Sequence, residues 1–376
     1  MEEEYFIYDN DTNDIPNNIT HLKTADGFNR LLTIPNHITH LIFGYYYNQL
    51  TNDLPSSITH LTFGCNYNQS TDHLPSSITH LTFGVDYDQP TNHLPLSITH
   101  LTFGYNYDQP TNHLPSSITH LTFGYYYNQP TTQLPSSITH LTFGFCYNQP
   151  TTQLPSSITH LTFGANYNQP INDLPSSITH LIFGYDYNQP TNHLPSSIAH
   201  LTFGSYYDQP TNHLPSSITH LTFGYHYNQP TNDLPSSITH LTFGYYYNQP
   251  TNLPNSITHL TIGNDYNQII NKLPCNLKYI HFRMDDNNNL NLPFMEPDHF
   301  GFDDHQILPP SIEAAYFGMW THKTPPQHFF ENYLDQLYAN YNLRFSNIPD
   351  LKMIVHIDNN KYNLELKLTT LLDIII

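Results

Sequence analysis

The pair Leu-Pro returns every 20 residues. Leu54, Leu74, Leu94, Leu114, Leu134, Leu154, Leu174, Leu194, Leu214 and Leu234 each precede a proline with no slippage. One residue is then lost, giving Leu253, and the next pair begins at Leu273. Ile15-Pro16 and Ile34-Pro35 carry the same mark with isoleucine, and LPPSIEAAYFG (Leu308 to Gly318) is a worn copy of LPSSITHLTFG. A unit this short cannot bury its own apolar stripe, so the units must stack and share a core. The 376 residues would otherwise allow two or three domains. The period argues instead for one array over residues 15–318, regular from 34 to 272 and degenerate from 273. That is about 14 turns.

Within a unit, Ile218, Leu221 and Phe223 are spaced I-x-x-L-x-F. Alternation with period two points Leu221 and Phe223 inward from a short strand and puts His220 and Thr222 on the other face. Tyr227, Pro230 and Leu234 recur at fixed offsets and are expected to complete the interior. Each unit also carries prolines, a glycine and several β-branched residues, which disfavour helix. The return leg NQPTNDLPSS reads as turns and extended chain. The expected fold is mainly β: a right-handed solenoid with parallel strands on one face, about 65 Å long at ordinary strand spacing. Side chains at one offset then form columns. An Asn/Asp column (Asn68, Asp88, Asp108, Asn128 and onward) is expected to satisfy backbone groups of the turn. Gly224 and its equivalents are expected where the chain bends, at a positive φ.

Charge excludes a large class of functions. The net charge is −20, and between Arg30 and Lys272 there is no lysine or arginine. Such a surface repels phosphate backbones and anionic lipid, so neither nucleic acid nor membrane is an expected partner. The beginning, MEEEYFIYDND, is acidic where a secretory signal is basic and then apolar. No apolar run is long enough to span a bilayer, which leaves a cytoplasmic chain as the expectation. Cys65, Cys146 and Cys275 lie far apart, with no metal-ligand spacing, and read as reduced thiols.

The wording LP-x-x-I-x-x-L-x-F-G followed by Y-[N/D]-Q-P resembles the FNIP repeat, a relative of the leucine-rich repeat found in dictyostelid amoebae and in giant viruses of amoebae. The resemblance covers residues 15–318, about four fifths of the chain. Two departures stand out: Tyr-Asn or Tyr-Asp replaces the family's Phe-Asn, and the unit is about two residues shorter. The resemblance implies a leucine-rich-repeat-like solenoid, an amoebal or giant-virus source, and a protein partner, such as an amoebal host protein, in the host cytoplasm. Some members place an F-box ahead of the repeats. Residues 1–14 form an acidic segment too short for one.

Past the array, residues 325–341 place Phe330, Leu334, Leu337 and Tyr341 at helical spacing. LKMIVHI and YNLELKLT alternate on either side of Asp358 to Lys361, a hairpin signal. Residues 319–376 are therefore expected to form a small α+β cap, one helix plus a β-hairpin.

Thirteen of the 26 histidines occupy the His220 column, from His21 to His259. Two protonated neighbours at strand spacing would repel by about 3 to 4 kcal/mol at an effective dielectric near 20. Neutral imidazoles with lowered pKa values are expected, hydrogen-bonded along the column or to water. A flat column does not converge three or four ligands, so no metal and no cofactor is expected. Translational copies also lack the asymmetric constellation that catalysis needs, and no nucleophile, phosphate-loop or zinc-protease motif occurs, so no enzyme is expected.

The varying residues carry the information. Just after Gly, the two-residue slot reads Tyr45-Tyr46, Cys65-Asn66, Val85-Asp86, Tyr105-Asn106, Tyr125-Tyr126, Phe145-Cys146, Ala165-Asn166, Tyr185-Asp186, Ser205-Tyr206, Tyr225-His226 and Tyr245-Tyr246. Positions where substitution harms nothing would also drift. Returning tyrosines favour a recognition rim, because tyrosine gives large contact area with little rotamer freedom to lose. The expectation is a non-enzymatic protein-interaction scaffold. Its rivals are a glycan-binding surface, ice binding by the threonine column (broken at Ile42 and Ile182), and a purely structural or virion component.

Overall fold

The computed structural model describes residues 5–11, 14–263, 265–266, 273–284, 311, 314–319, 352–357 and 363–367. The chain divides into two compact units, 1–187 and 188–376.

The first unit holds β1 (Phe6–Tyr8), β2 (His21–Thr24), β3 (His40–Ile42), β4 (His60–Thr62), β5 (His80–Thr82), β6 (His100–Thr102), β7 (His120–Thr122), β8 (His140–Thr142), β9 (His160–Thr162) and β10 (His180–Ile182). Each pairs in parallel with the next, and from β2 onward histidine lies on histidine and leucine on leucine. The second unit holds β11 (His200–Thr202), β12 (His220–Thr222), β13 (His240–Thr242), β14 (His259–Ile262), β15 (Tyr279–Met284), β16 (Ala314–Met319), β17 (Lys352–Ile357) and β18 (Asn363–Lys367). These are parallel from β11 to β17, and β18 turns back antiparallel on β17. The residue lost before Leu253 leaves strand register untouched, since His259 still pairs with His240. The return leg absorbs it. The architecture is a parallel β-solenoid, and the described residues contain no helix. The helix expected over 325–341 lies outside the described residues.

The strand supplies one buried residue, Leu121 in β7, and Phe123 follows it into the core. Ile118 and Tyr127 complete the interior at 0% exposure. The Phe123 and Tyr127 rings stack at 3.7 Å within the turn, and each also stacks on its counterpart in the next turn, at 5.7 and 6.1 Å. Pro230, expected inside, is exposed; the neighbouring Thr231 is buried instead. A buried hydroxyl needs a partner, and here the partner is the core tyrosine one turn on. Thr111 Oγ1 meets Tyr127 Oη at 3.0 Å, and the same pair recurs at Thr51–Tyr67 and Thr211–Tyr227. Burial still dominates the phenol chemistry: it pushes Tyr67 and Tyr167 up to about 12, against a smaller lowering by the threonine bond.

Polar constants on the rest of the turn serve the adjacent turn. Pro115 carbonyl accepts from Ile118 N–H, closing a β-turn. Ser117 Oγ donates to Ile98 carbonyl at 2.6 Å. Thr99 carbonyl accepts the N–H groups of both Thr119 and His120. The Asn/Asp column works as a backbone ladder: each side-chain Oδ1 accepts the backbone N–H of the next member, for example Asn48 Oδ1 from Asn68 N–H at 3.0 Å and Asp88 Oδ1 from Asp108 N–H at 3.0 Å. Only an acceptor oxygen is used, which is why aspartate and asparagine interchange there. Glycine is required for a different reason from the one expected. Gly124 has no φ in the left-handed region; instead a Cβ there would collide with Gly104 carbonyl oxygen, and the same holds at Gly84, Gly164 and Gly224 against the glycine one turn back. Close approach of successive turns, and not a positive φ, excludes a side chain.

The histidines on the outer strand face stack ring on ring. In the first unit successive centroids lie 4.1–4.2 Å apart, for example His80–His100 at 4.2 Å and His160–His180 at 4.1 Å. In the second unit His259 closes the series against Tyr279 at 4.5 Å. Their Nδ1 atoms have a partner that the spacing did not point to. Except at His200, which follows Ala199, each Nδ1 of the column meets the hydroxyl of the preceding threonine, as in Thr119 Oγ1···His120 Nδ1 at 2.9 Å. Desolvation first, and neighbouring imidazoles second, lower the pKa of His80, His100, His120, His220 and His240. Among the described residues no group of three or more metal-ligating side chains converges.

Two predictions follow from this frame's chemistry. Thr111→Val leaves the buried Tyr127 hydroxyl without its partner and should cost about 1–3 kcal/mol in denaturant unfolding. Adding Tyr127→Phe should recover part of that loss, because it removes the hydroxyl left without a partner. Acid should destabilise the array. Histidines with lowered folded pKa bind more protons when unfolded, so stability is full above about 6.5 and falls as pH drops through the folded values. A thermal-unfolding series from neutral pH downward checks the sign; an unchanged melting temperature at about pH 5 contradicts it.

Candidate partner-binding rim

The two-residue slot after Phe-Gly forms a turn at the end of every regular strand. Its backbone is closed from turn to turn: the second residue donates its N–H to the carbonyl of the first residue one turn back. Asn66 donates to Tyr45 at 3.0 Å, Asn106 to Val85 at 2.9 Å, Asn166 to Phe145 at 2.9 Å and Tyr246 to Tyr225 at 3.0 Å. No slot side chain is needed for that bond. The frame therefore fixes where the side chains stand and leaves their identity open.

Exposure follows. Tyr45, Tyr46, Tyr105, Tyr126, Phe145, Tyr185, Tyr206, Tyr225 and Tyr246 are exposed, Tyr46 at 54%. Tyr125, Tyr245, Asn66, Asp86, Asn106, Asn166, Asp186 and His226 are half-buried. The structure gathers many of them into aromatic clusters. In the first unit Tyr105, Tyr125 and Phe145 stack at 4.4 and 4.6 Å, and Tyr126 sits edge-on to Tyr125 at 5.0 Å. Tyr45 and Tyr46 form a separate edge-on pair at 4.8 Å. In the second unit Tyr206 stacks on His226 at 4.7 Å, and Tyr225 on Tyr245 at 4.8 Å with Tyr246 edge-on at 5.0 Å. Partial desolvation, then neighbouring tyrosines, raises the Tyr105 and Tyr225 phenols above the ordinary range. Asn66 and Asn166 join no ring cluster; Asn106 Nδ2 instead donates to Asp86 Oδ1 at 3.1 Å.

Sequence reasoning passed over two residues beside this rim. Lys23 and Asp26 line a shallow groove of about 360 Å³ together with Tyr45, Cys65, Val85 and Tyr105. Asp26 takes the first slot position of its turn, because Tyr46 N–H bonds Asp26 carbonyl as Asn66 N–H bonds that of Tyr45. The early turn is one residue short, His21 to His40, so the 20-residue period does not align it. Among the described residues no helix is long and apolar enough to cross a membrane. The three cysteines are free thiols.

Comparison with known proteins fits this geometry. Among solved structures, the circular leucine-rich-repeat protein CroV588 is similar over 92% of this chain, at 38% identity and a TM-score of 0.69. The chain spans about half, 54%, of that protein's length. YopM from Yersinia enterocolitica WA-314 shares the fold, with a TM-score of 0.53 at 16% identity over 89% of this chain and 71% of YopM. Among curated proteins nothing matches. The FNIP Repeat model matches residues 11–46, 28–66, 47–86, 67–105, 110–146, 147–186, 170–206, 187–226, 207–232, 227–265 and 247–285. With that model recurring over most of its length, the chain belongs to the FNIP repeat family.

Proposed function

We propose that this chain is a non-enzymatic scaffold for protein–protein interaction, recognising its partner through the strand face and the variable rim. One observation carries the reading. The rim's backbone bonds need no particular side chain, yet exposed tyrosines return there and cluster in both units. Exposed aromatic clusters cost solubility and are the kind of surface that interfaces use. The long stretch without lysine or arginine argues against nucleic acid as the partner. The translational sameness of the turns argues against an active site.

The experiment is a pull-down from amoebal lysate, the source suggested by the family resemblance, with two forms of the protein. One is native; the other carries Asn-Ser in every rim slot and is matched to it by circular dichroism. A protein held by the native form and lost by the other supports rim recognition. The same proteins on both forms would move recognition to the constant columns. No protein on either form would contradict the scaffold reading, and a glycan array would then be the next assay.

A further inference from the structure

In the first unit the first slot residues run Asp26, Tyr45, Cys65, Val85, Tyr105, Tyr125, Phe145. From Tyr105 to Phe145 each turn adds a ring to a stack, at 4.4 and then 4.6 Å, and Ala165 then ends the row. At Cys65 and Val85 the rings are missing, while tyrosines stand at both ends of the gap, Tyr45 47% and Tyr105 42% exposed. The groove of about 360 Å³ opens there, with the gap's two small residues in its lining. Three turns separate Tyr45 from Tyr105, about 14 Å at strand spacing, so two planar groups fill the interval at the stack's own separation.

Charge selects among planar groups. Ten aspartates and no lysine or arginine lie between Arg30 and Lys272. Asp26 lines the groove, and Asp86 follows Val85 in the same slot. Lys23 is the one cation in the lining and opposes the trend. A nucleotide would bring phosphate into this field, and a neutral ring, a free nucleobase included, would gain nothing from it. A guanidinium is planar, permanently cationic, stacks on phenol faces and pairs with carboxylates through two N–H groups. The acidic field would also speed encounter with a basic segment.

We propose that the interval between Tyr45 and Tyr105 is an arginine-binding site, taking one or two guanidinium groups from a basic, extended segment of a partner protein. The site rests on the rim being the protein-binding surface and names the partner's chemistry there. The side chains insert over Cys65 and Val85, flanked by the two tyrosines, with the Asp26 carboxylate at the end of the row.

Three labelled Gly-Ser peptides, carrying arginine, lysine or phenylalanine at alternate positions, test this by fluorescence anisotropy on the full chain at low and high salt. Cys65→Tyr/Val85→Tyr continues the ring row without changing charge, and the frame already accepts tyrosine at the equivalent positions 105 and 125. Native protein should prefer the arginine peptide to the lysine peptide. The filled variant should lose about tenfold in arginine-peptide affinity, and Lys23→Glu should gain several-fold. Equal binding of arginine and lysine peptides, untouched by filling the gap, would reduce the effect to attraction by an acidic surface and overturn the site. Tightest binding of the phenylalanine peptide would overturn the charge argument. If the filled variant still captures a rim-dependent protein from lysate while no arginine preference exists, this inference fails and the scaffold reading stands. Loss of rim-dependent capture by the native protein would instead remove the scaffold reading.

Discussion

Each turn of this protein is held by side chains that satisfy the backbone of its neighbour. Asn148 Oδ1 accepts both the Asn168 N–H at 3.0 Å and the Gln169 amide at 3.1 Å. Ser157 Oγ caps Ile138 carbonyl, and Phe143 N–H bonds across to Thr162 carbonyl. A strand of three residues supplies few ladder bonds, so the remaining backbone groups of a 20-residue turn need other partners. The repeating Ser, Thr, Asn and Gln provide them. Because each bond joins two fixed positions of successive turns, the sequence has to repeat with the structure. The glycine column adds the steric half of the constraint, allowing backbones to approach where any Cβ would collide.

Constancy and variation then have one explanation. Residues whose side chains serve the next turn are constant; the slot after Gly, whose backbone bonds are made without side chains, varies. Side chains can change there without disturbing the frame. The histidine ladder belongs with the frame. All its Nδ1 atoms but that of His200 are tied to threonine hydroxyls, its rings are packed face to face, and no ligand set converges on it among the described residues. Its chemical consequence is sensitivity to acid.

Much of this was legible in the sequence, where period two or a fixed offset carried the signal. I-x-x-L-x-F placed Ile118, Leu121 and Phe123 in the core, and the Asn/Asp column was read as a backbone ladder. The errors fall where no periodic rule applies. The return leg has no strand alternation, so Pro230 was placed inside and the buried Thr231 went unseen. A hydroxyl's use inside depends on its partner, Tyr247, which is distant in sequence and adjacent in space. Ring planes leave no trace in spacing, so the imidazole stacking and the threonine bonds to Nδ1 went unforeseen. Asp26 and Lys23 escaped notice because the first turn is a residue short, which hides Asp26's equivalence to Tyr45.

Hydrogen exchange on Asn148→Ala beside the native protein tests the central claim most directly. That claim is that a side chain of one turn holds the backbone of the next. The Asn168 amide should lose protection by about tenfold or more, while strand amides such as Leu161 and Leu181 keep theirs. Unchanged protection at Asn168 would contradict the claim, because the ladder oxygen would then be dispensable to the turn it serves.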